Sequence, residues 1–432
     1  MSNINITASS GETFWKPRQK IAFRFFFPFL VLSSYLCWDA TIYIVHGAFF
    51  RNQFDLGVLY KPLAAMLYWL DKHIYHTGFN PQTQQGFPGD NHFGVVFYFT
   101  LFYLSIIVAI VWSILDKKRS GYDRPYYWLC LYLRYALIIV MFSYGIDKLI
   151  PTQMMPPGVL AMTTPYGYLN RYFVLWDFMG MSPGYQIFTG ACELVATFLL
   201  FSRRTAVFGY VLMAGILANV VALNIFYNVT VKLFSSQLLL YTLFLLAPYA
   251  KNIFQFFFMG NATPFLQKRF IFRTKLKRYL IGGILIFIPL VLMVIITVGT
   301  YHRYLRKTAD ASREKIYNVT AFAAKDTLQP FVDDSVRWKR MLLNVYNNHA
   351  VIFTKDDQLD WYECDVDSAK KTFTLHNNPD KKSWKIFNYL NPSKDQLQLT
   401  GKWKGRAIQV SMKAWPVDSM PLNQEKVKLV GD

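Results

Sequence analysis

Hydrophobic positions along the chain fall into seven apolar runs, at residues 22–47, 93–115, 126–149, 185–201, 206–227, 234–249 and 279–299. Most approach the roughly 20 residues that cross about 30 Å of hydrocarbon as a helix, and the sixth is short. Between the first two runs, VLYKPLAAMLYWLDKHIY (58–75) keeps helical spacing but carries charges. It predicts a helix lying on a membrane surface rather than crossing it. The first 20 residues are polar, and no small-residue cleavage site follows the first run. The expectation is a first helix that inserts and stays.

From about residue 308 the period changes. YNVTAFA, HAVIFTK, LDWYECDVD, KKTFTLHN, WKIFNYL, DQLQLTG and GRAIQVSMKA alternate apolar with polar residues and are separated by Asn, Asp and Pro turns. This predicts an antiparallel β domain over 308–432, a lipocalin-like barrel or sandwich. DTLQPFVDDSVRWKRMLLN (326–344) reads as holding a short helix between the first two strands. The fold class is therefore a mainly α-helical membrane bundle of about seven transmembrane helices with a C-terminal antiparallel β domain. Its parts are a tail (1–20), two helices with an outer loop (21–125), a four-helix unit (126–250), a basic loop with the last helix (251–300) and the β domain.

Composition agrees: 53% of residues are hydrophobic and 17% charged, with mean hydropathy +0.20. The net charge of +20 could suggest nucleic acid, but much of the excess lies between apolar runs, as the loops on one side of a membrane require. No nucleic-acid partner is implied; the partner is the bilayer. Lys and Arg crowd before run one and between runs two and three, four and five, and six and seven. That places the N-terminus in the cytoplasm and the β domain across the membrane. Four scattered cysteines without a CxxC pair exclude a disulfide framework or zinc site of the usual spacing.

Ionisable residues inside spans are costly and mark sites or structural pairs. Run three carries Arg134 and, at its end, Asp147 and Lys148; run four carries Glu193; run five carries Asn219 and Asn224; run one carries Asp39 and His46. At 100° per residue Arg134 and Lys148 share a face and Asp147 points away from it. Glu193 lies near the midplane and Lys148 roughly 15 Å outside it at a 1.5 Å rise. The expected ion pair is therefore Arg134 with Glu193, with Asp147 and Lys148 hydrated at the outer rim. The Pro-, Gly- and Met-rich stretch 152–188 reads as a lid of short helices over that rim. No metal site is expected. His46, His73, His76 and His92 fall near one surface without a carboxylate or thiolate set.

LRYALIIVMFSYGIDKLIP and CELVATFLLFSRRTA, in that order, carry Arg134, Tyr144, Gly145, Lys148, Glu193, Arg203 and Arg204. Over about 130–250 they resemble the DoxX-like family of bacterial membrane proteins. The extra helices and β domain look like its longer forms in Bacteroidota-type bacteria. The resemblance implies a four-helix unit in the bacterial inner membrane, with the β domain in the periplasm. Some such proteins are associated with thiosulfate:quinone oxidoreduction or oxidative-stress complexes, so quinone is the cofactor it allows and a periplasmic or membrane redox protein the partner. No catalytic residue carries over; Glu193, Arg134, Lys148, Asp147, Tyr144, Asn219 and Asn224 are candidates for ligand binding or proton handling on physical grounds. Two functions stay open: a redox-associated subunit holding a quinone or lipid-like ligand, and a non-enzymatic anchor or scaffold whose β domain binds a lipid or partner protein.

Overall fold

The computed structural model describes residues 15–38, 41, 57–80, 90–260, 274–311, 314–325, 328, 332–344, 348–356, 358–377, 384–416 and 420. Asp39 and His46 lie outside them. The chain divides into two compact units. One comprises residues up to 156 with 170–304; the other comprises 157–169 with residues from 305 onward.

The first unit is helical: α1 (Pro17–Ser33), α2 (Gly57–Leu70), α3 (His92–Leu115), α4 (Asp123–Leu149), α6 (Arg171–Met181), α7 (Pro183–Leu199), α8 (Ala206–Phe226), α9 (Lys232–Leu246) and α10 (Ala250–Met259). A last helix, α11, runs over Lys275–Ala311. Among the described residues, six segments are long and apolar enough to cross a membrane: Pro17–Trp38, His92–Leu115, Asp123–Leu149, Ala206–Phe226, Lys232–Met259 and Tyr279–Ala309. The expected count of about seven is not confirmed. The run at 185–201 forms α7, whose 17 residues rise about 25 Å, short of a hydrocarbon core of about 30 Å. The core of this unit gathers around α4, where Leu133, Leu137, Ile138 and Ile139 are buried. Leu30 of α1, Phe97 of α3, Met213 of α8 and Leu238 of α9 belong to the same cluster.

In the second unit eight strands close an up-and-down barrel: β1 (Lys315–Ala324), β2 (Trp338–Asn344), β3 (His349–Thr354), β4 (Leu359–Asp367), β5 (Thr372–His376), β6 (Lys385–Ser393), β7 (Gln396–Trp403) and β8 (Arg406–Ala414). Each strand pairs antiparallel with the next, and β1 pairs with β8. Lys404 and Gly405, both at positive φ, make the two-residue β7–β8 turn of the kind that matches strand twist. Trp338, Trp403 and Phe387 fill the barrel and are fully buried. Part of 326–344, where a short helix is expected, lies outside the described residues; among the described ones, 332–337 form turns and a bend and 338–344 is strand β2.

The stretch expected as a lid is divided between the two units. Residues 157–169, including the short helix α5 (Val159–Thr163), belong to the barrel unit. There Val159 packs on the outward side chains Ile316, Leu342, Val351 and Phe353. Arg340 ties the strap down, donating to the Thr163 carbonyl at 3.0 Å. Residues 152–156 and α6 stay with the helical unit.

Candidate functional site

Antiparallel α4 and α7 approach closely because each carries a glycine at the crossing. A Cβ on Gly190 would lie 2.7 Å from the Gly145 carbonyl oxygen and 2.9 Å from the Leu149 nitrogen. Three residues beyond each glycine stand Lys148 and Glu193. The Lys148 Nζ donates to both carboxylate oxygens of Glu193, at 2.8 and 2.9 Å, and both residues are buried.

The expected Arg134–Glu193 pair is thereby corrected. Arg134 donates through Nε to the Leu200 carbonyl at the end of α7. Side chains on a helix lean toward its N-terminus. Between antiparallel neighbours, Lys148 on α4 and Glu193 on α7 therefore lean toward one another, whereas Arg134 leans away from the carboxylate. Comparison of Cα heights alone missed that lean.

Asp147 is also buried rather than hydrated at a rim. It points to the other side of α4, as the helical wheel requires. It accepts from Thr300 Oγ1 at 2.7 Å, Arg303 Nη2 at 2.7 Å and Thr152 Oγ1 at 3.3 Å. Adjacent residues of opposite charge thus fasten the end of α4 to two different helices, Lys148 to α7 and Asp147 to α11.

A cavity of about 320 Å³ opens beside the Lys148–Glu193 pair. Tyr144, Lys148, Glu193, Asn219 and Asn224 line it; Arg134 and Asp147 do not. Asn224 is engaged, donating to Ser235 on α9 at 2.9 Å. The Lys148 ammonium lies 5.6 Å from the centre of the Tyr144 ring, within reach of cation–π attraction. Most of the remaining wall is apolar, with Leu175 and Trp176 from α6, Leu217 and Val220 from α8, and Phe234 and Leu238 from α9.

The wall on the α6 side is held in place by Gln186. Its amide donates to the Met154 carbonyl at 2.9 Å and accepts from the Met154 nitrogen at 3.1 Å. Gly180 of α6 lets Met155 lie against the helix, where a Cβ would meet its carbonyl oxygen at 2.1 Å. Among the described residues, no group of three or more His, Cys, Asp or Glu could hold a metal ion.

No family model matches the chain, and no solved structure does. The chain is 30% identical over 113 residues to the uncharacterized protein YwoB of Bacillus subtilis (strain 168), a match covering 26% of this chain and 71% of that protein. The chain belongs to the family of YwoB. Membership in the YwoB family brings no activity with it, so the chemistry rests on the cavity.

Three features of that cavity escaped sequence reasoning. Cys192 precedes Glu193 and lines the space as a free thiol. Gln153 also lines it, with a buried Oε1 that has no hydrogen-bond partner among the described residues. Trp176 forms part of the wall. Only the tally of apolar and aromatic residues in 152–188 hinted that this segment covers something.

Proposed function

We propose that this protein is a DoxX-like, multi-pass protein of the bacterial inner membrane whose helical cavity takes an amphipathic ligand of the quinone class. Its β barrel lies on the periplasmic side, and electrons come from a membrane or periplasmic redox partner. The observation that carries the reading is one buried ammonium–carboxylate pair set in the wall of a mostly apolar cavity of about 320 Å³. That volume suits a ring-shaped head group with the first part of a tail. An apolar wall with a few convergent polar groups is the usual form of a small-molecule site.

The residues divide the work by their chemistry. Lys148 donates to an oxygen of the head group and stabilises negative charge there. Glu193, the one carboxylate among the described residues lining the cavity, accepts or returns the proton. Tyr144 and Trp176 supply ring faces.

The test is purification of the full chain in mild detergent, followed by organic extraction and mass spectrometry. Co-purified quinone in wild type, with loss from Lys148→Met and Glu193→Gln proteins that remain monodisperse, supports the reading. Recovery of phospholipid alone, unchanged in both variants, favours the anchor or scaffold function instead.

A further inference from the structure

The barrel unit carries a concavity of its own, lined by none of the residues that line the helical cavity. An open trench of about 1020 Å³ crosses the outer surface of β6, β7, β8 and β1. Its shape follows from side-chain size: along β8 and β1 the outward positions include Ala407 and Ala323, which leave a hollow between longer neighbours.

The strand register sorts the lining into two rows. Asn388 pairs with Thr400, Thr400 with Gln409, and Gln409 with Ala323. All four residues are exposed, so this row presents two carboxamides and a hydroxyl. One step toward the β7–β8 turn, Lys402 pairs with Ala407, and Lys325 follows by donating its backbone N–H to the Ala407 carbonyl at 3.0 Å. Ile386 extends this row on β6.

The charged groups of the trench are lysines. Among the described residues, Lys325, Lys385, Lys402 and Lys404 line it and no acidic side chain does. Lys385 donates to the Tyr362 hydroxyl at 3.1 Å and Lys404 to the Ser335 carbonyl at 2.8 Å. Lys325 and Lys402 have no ion-pair partner among the described residues. Trp384 lines the trench too, its ring stacked on His376 at 4.8 Å.

An extended peptide commonly docks on a sheet by pairing with an edge strand. A closed barrel has no edge. Recognition here must run through side chains, and the side chains offered are carboxamides, a hydroxyl, ammonium groups and an indole. That set fits a chain rich in hydroxyls and carboxylates. We propose that the trench binds an anionic saccharide chain of the polyuronate class, laid across β6, β7, β8 and β1. Lys325 and Lys402 meet its carboxylates through charge-assisted hydrogen bonds, and Asn388 and Gln409 meet its hydroxyls.

The experiment titrates the full chain in detergent micelles with oligogalacturonate at low salt, by calorimetry. The two variants are K325E/K402E and N388A/Q409A, all at exposed positions. Neutral dextran, polyglutamate and phosphatidylglycerol vesicles serve as comparison ligands. The expected result is binding of oligogalacturonate and not of dextran, weakened about tenfold or more in K325E/K402E and several-fold in N388A/Q409A. Absence of binding, or unchanged binding by both variants, overturns the proposal. So does polyglutamate bound as tightly as the saccharide, which would make the trench a site for acidic protein. Vesicle binding that is lost with the same two lysines would assign it to a membrane surface and overturn the proposal equally.

Discussion

Gly145 of α4 and Gly190 of α7 meet backbone to backbone, and each stands three residues before one member of the buried ion pair. The contact is asymmetric. A methyl on Gly190 would run into the Gly145 carbonyl oxygen and the Leu149 nitrogen, whereas a methyl on Gly145 would first meet Leu194 side-chain atoms at 2.8 Å. A side chain can rotate; a helix backbone cannot. Gly190→Ala is expected to destabilise by about 1–3 kcal/mol, the range for overpacking a filled interior, and Gly145→Ala by less. Thermal unfolding of both in one detergent checks the order. Equal effects would show that the helices separate as readily as the leucine turns.

Lys148 and Glu193 form a closed unit, and Arg134 is not part of it. Removing one partner of a buried pair leaves a lone charge and costs about 3–5 kcal/mol. Lys148→Met and Glu193→Gln should each reach that range, and the double variant should cost clearly less than their sum. Arg134→Gln combined with Glu193→Gln should instead add to within about 0.5 kcal/mol, as independent sites do. The two double-variant cycles, read from unfolding, distinguish the observed pairing from the one that height along the helix suggests.

That pairing marks where the sequence was legible and where it was not. Long apolar runs located the membrane-crossing helices, and residue types drew attention to Lys148, Glu193, Tyr144, Asn219 and Asn224, all of which line the cavity. Partner choice depends on side-chain lean and on the Gly145–Gly190 approach, neither visible in periodicity. Strand β2 was hidden for a different reason. Its register shifts between Trp338 and Arg340, which breaks the two-residue period. Leu342 then faces outward yet is covered by Val159, so Met341, Leu342 and Leu343 form an apolar run instead of an alternation. A strand buried on both faces cannot be told from a helix by pattern.

The same strap makes a prediction about the barrel. Ile316, Leu342, Val351 and Phe353 are outward-facing, nearly fully buried and clustered with Val159. A fragment beginning at 308 lacks 157–169 and exposes that patch, so it should be unstable or self-associating. Val159→Ser in the full chain should lower the barrel's stability by about 1–3 kcal/mol. Near-ultraviolet circular dichroism, to which the buried Trp338 and Trp403 contribute, follows the transition. A fragment 308–432 that is monomeric and as stable as the barrel in the whole protein would remove the strap from the folding unit.

Asp71, just past α2, links acidity to the stability of the segment that follows it. Its Oδ1 accepts from the Thr77 nitrogen at 2.8 Å and the Thr77 hydroxyl at 2.7 Å, and its Oδ2 from the Phe79 nitrogen at 2.8 Å. Burial alone would raise this carboxyl; the hydrogen bonds from Thr77 and Phe79 outweigh it and hold Asp71 below the usual carboxylate range. A group held low in the folded state binds its proton more readily once unfolded. Its stabilisation is therefore complete above the ordinary carboxylate pKa of about 3.9 and fades as pH falls through the lower folded value. Asp71→Asn should cost about 1–3 kcal/mol at pH 7, and the gap to wild type should close on acidification below about pH 4. Amide exchange at Thr77 and Phe79, measured between pH 3 and pH 7, reads this locally. A difference between the two proteins that stays constant across that interval would mean the carboxylate's charge contributes nothing to holding the turn.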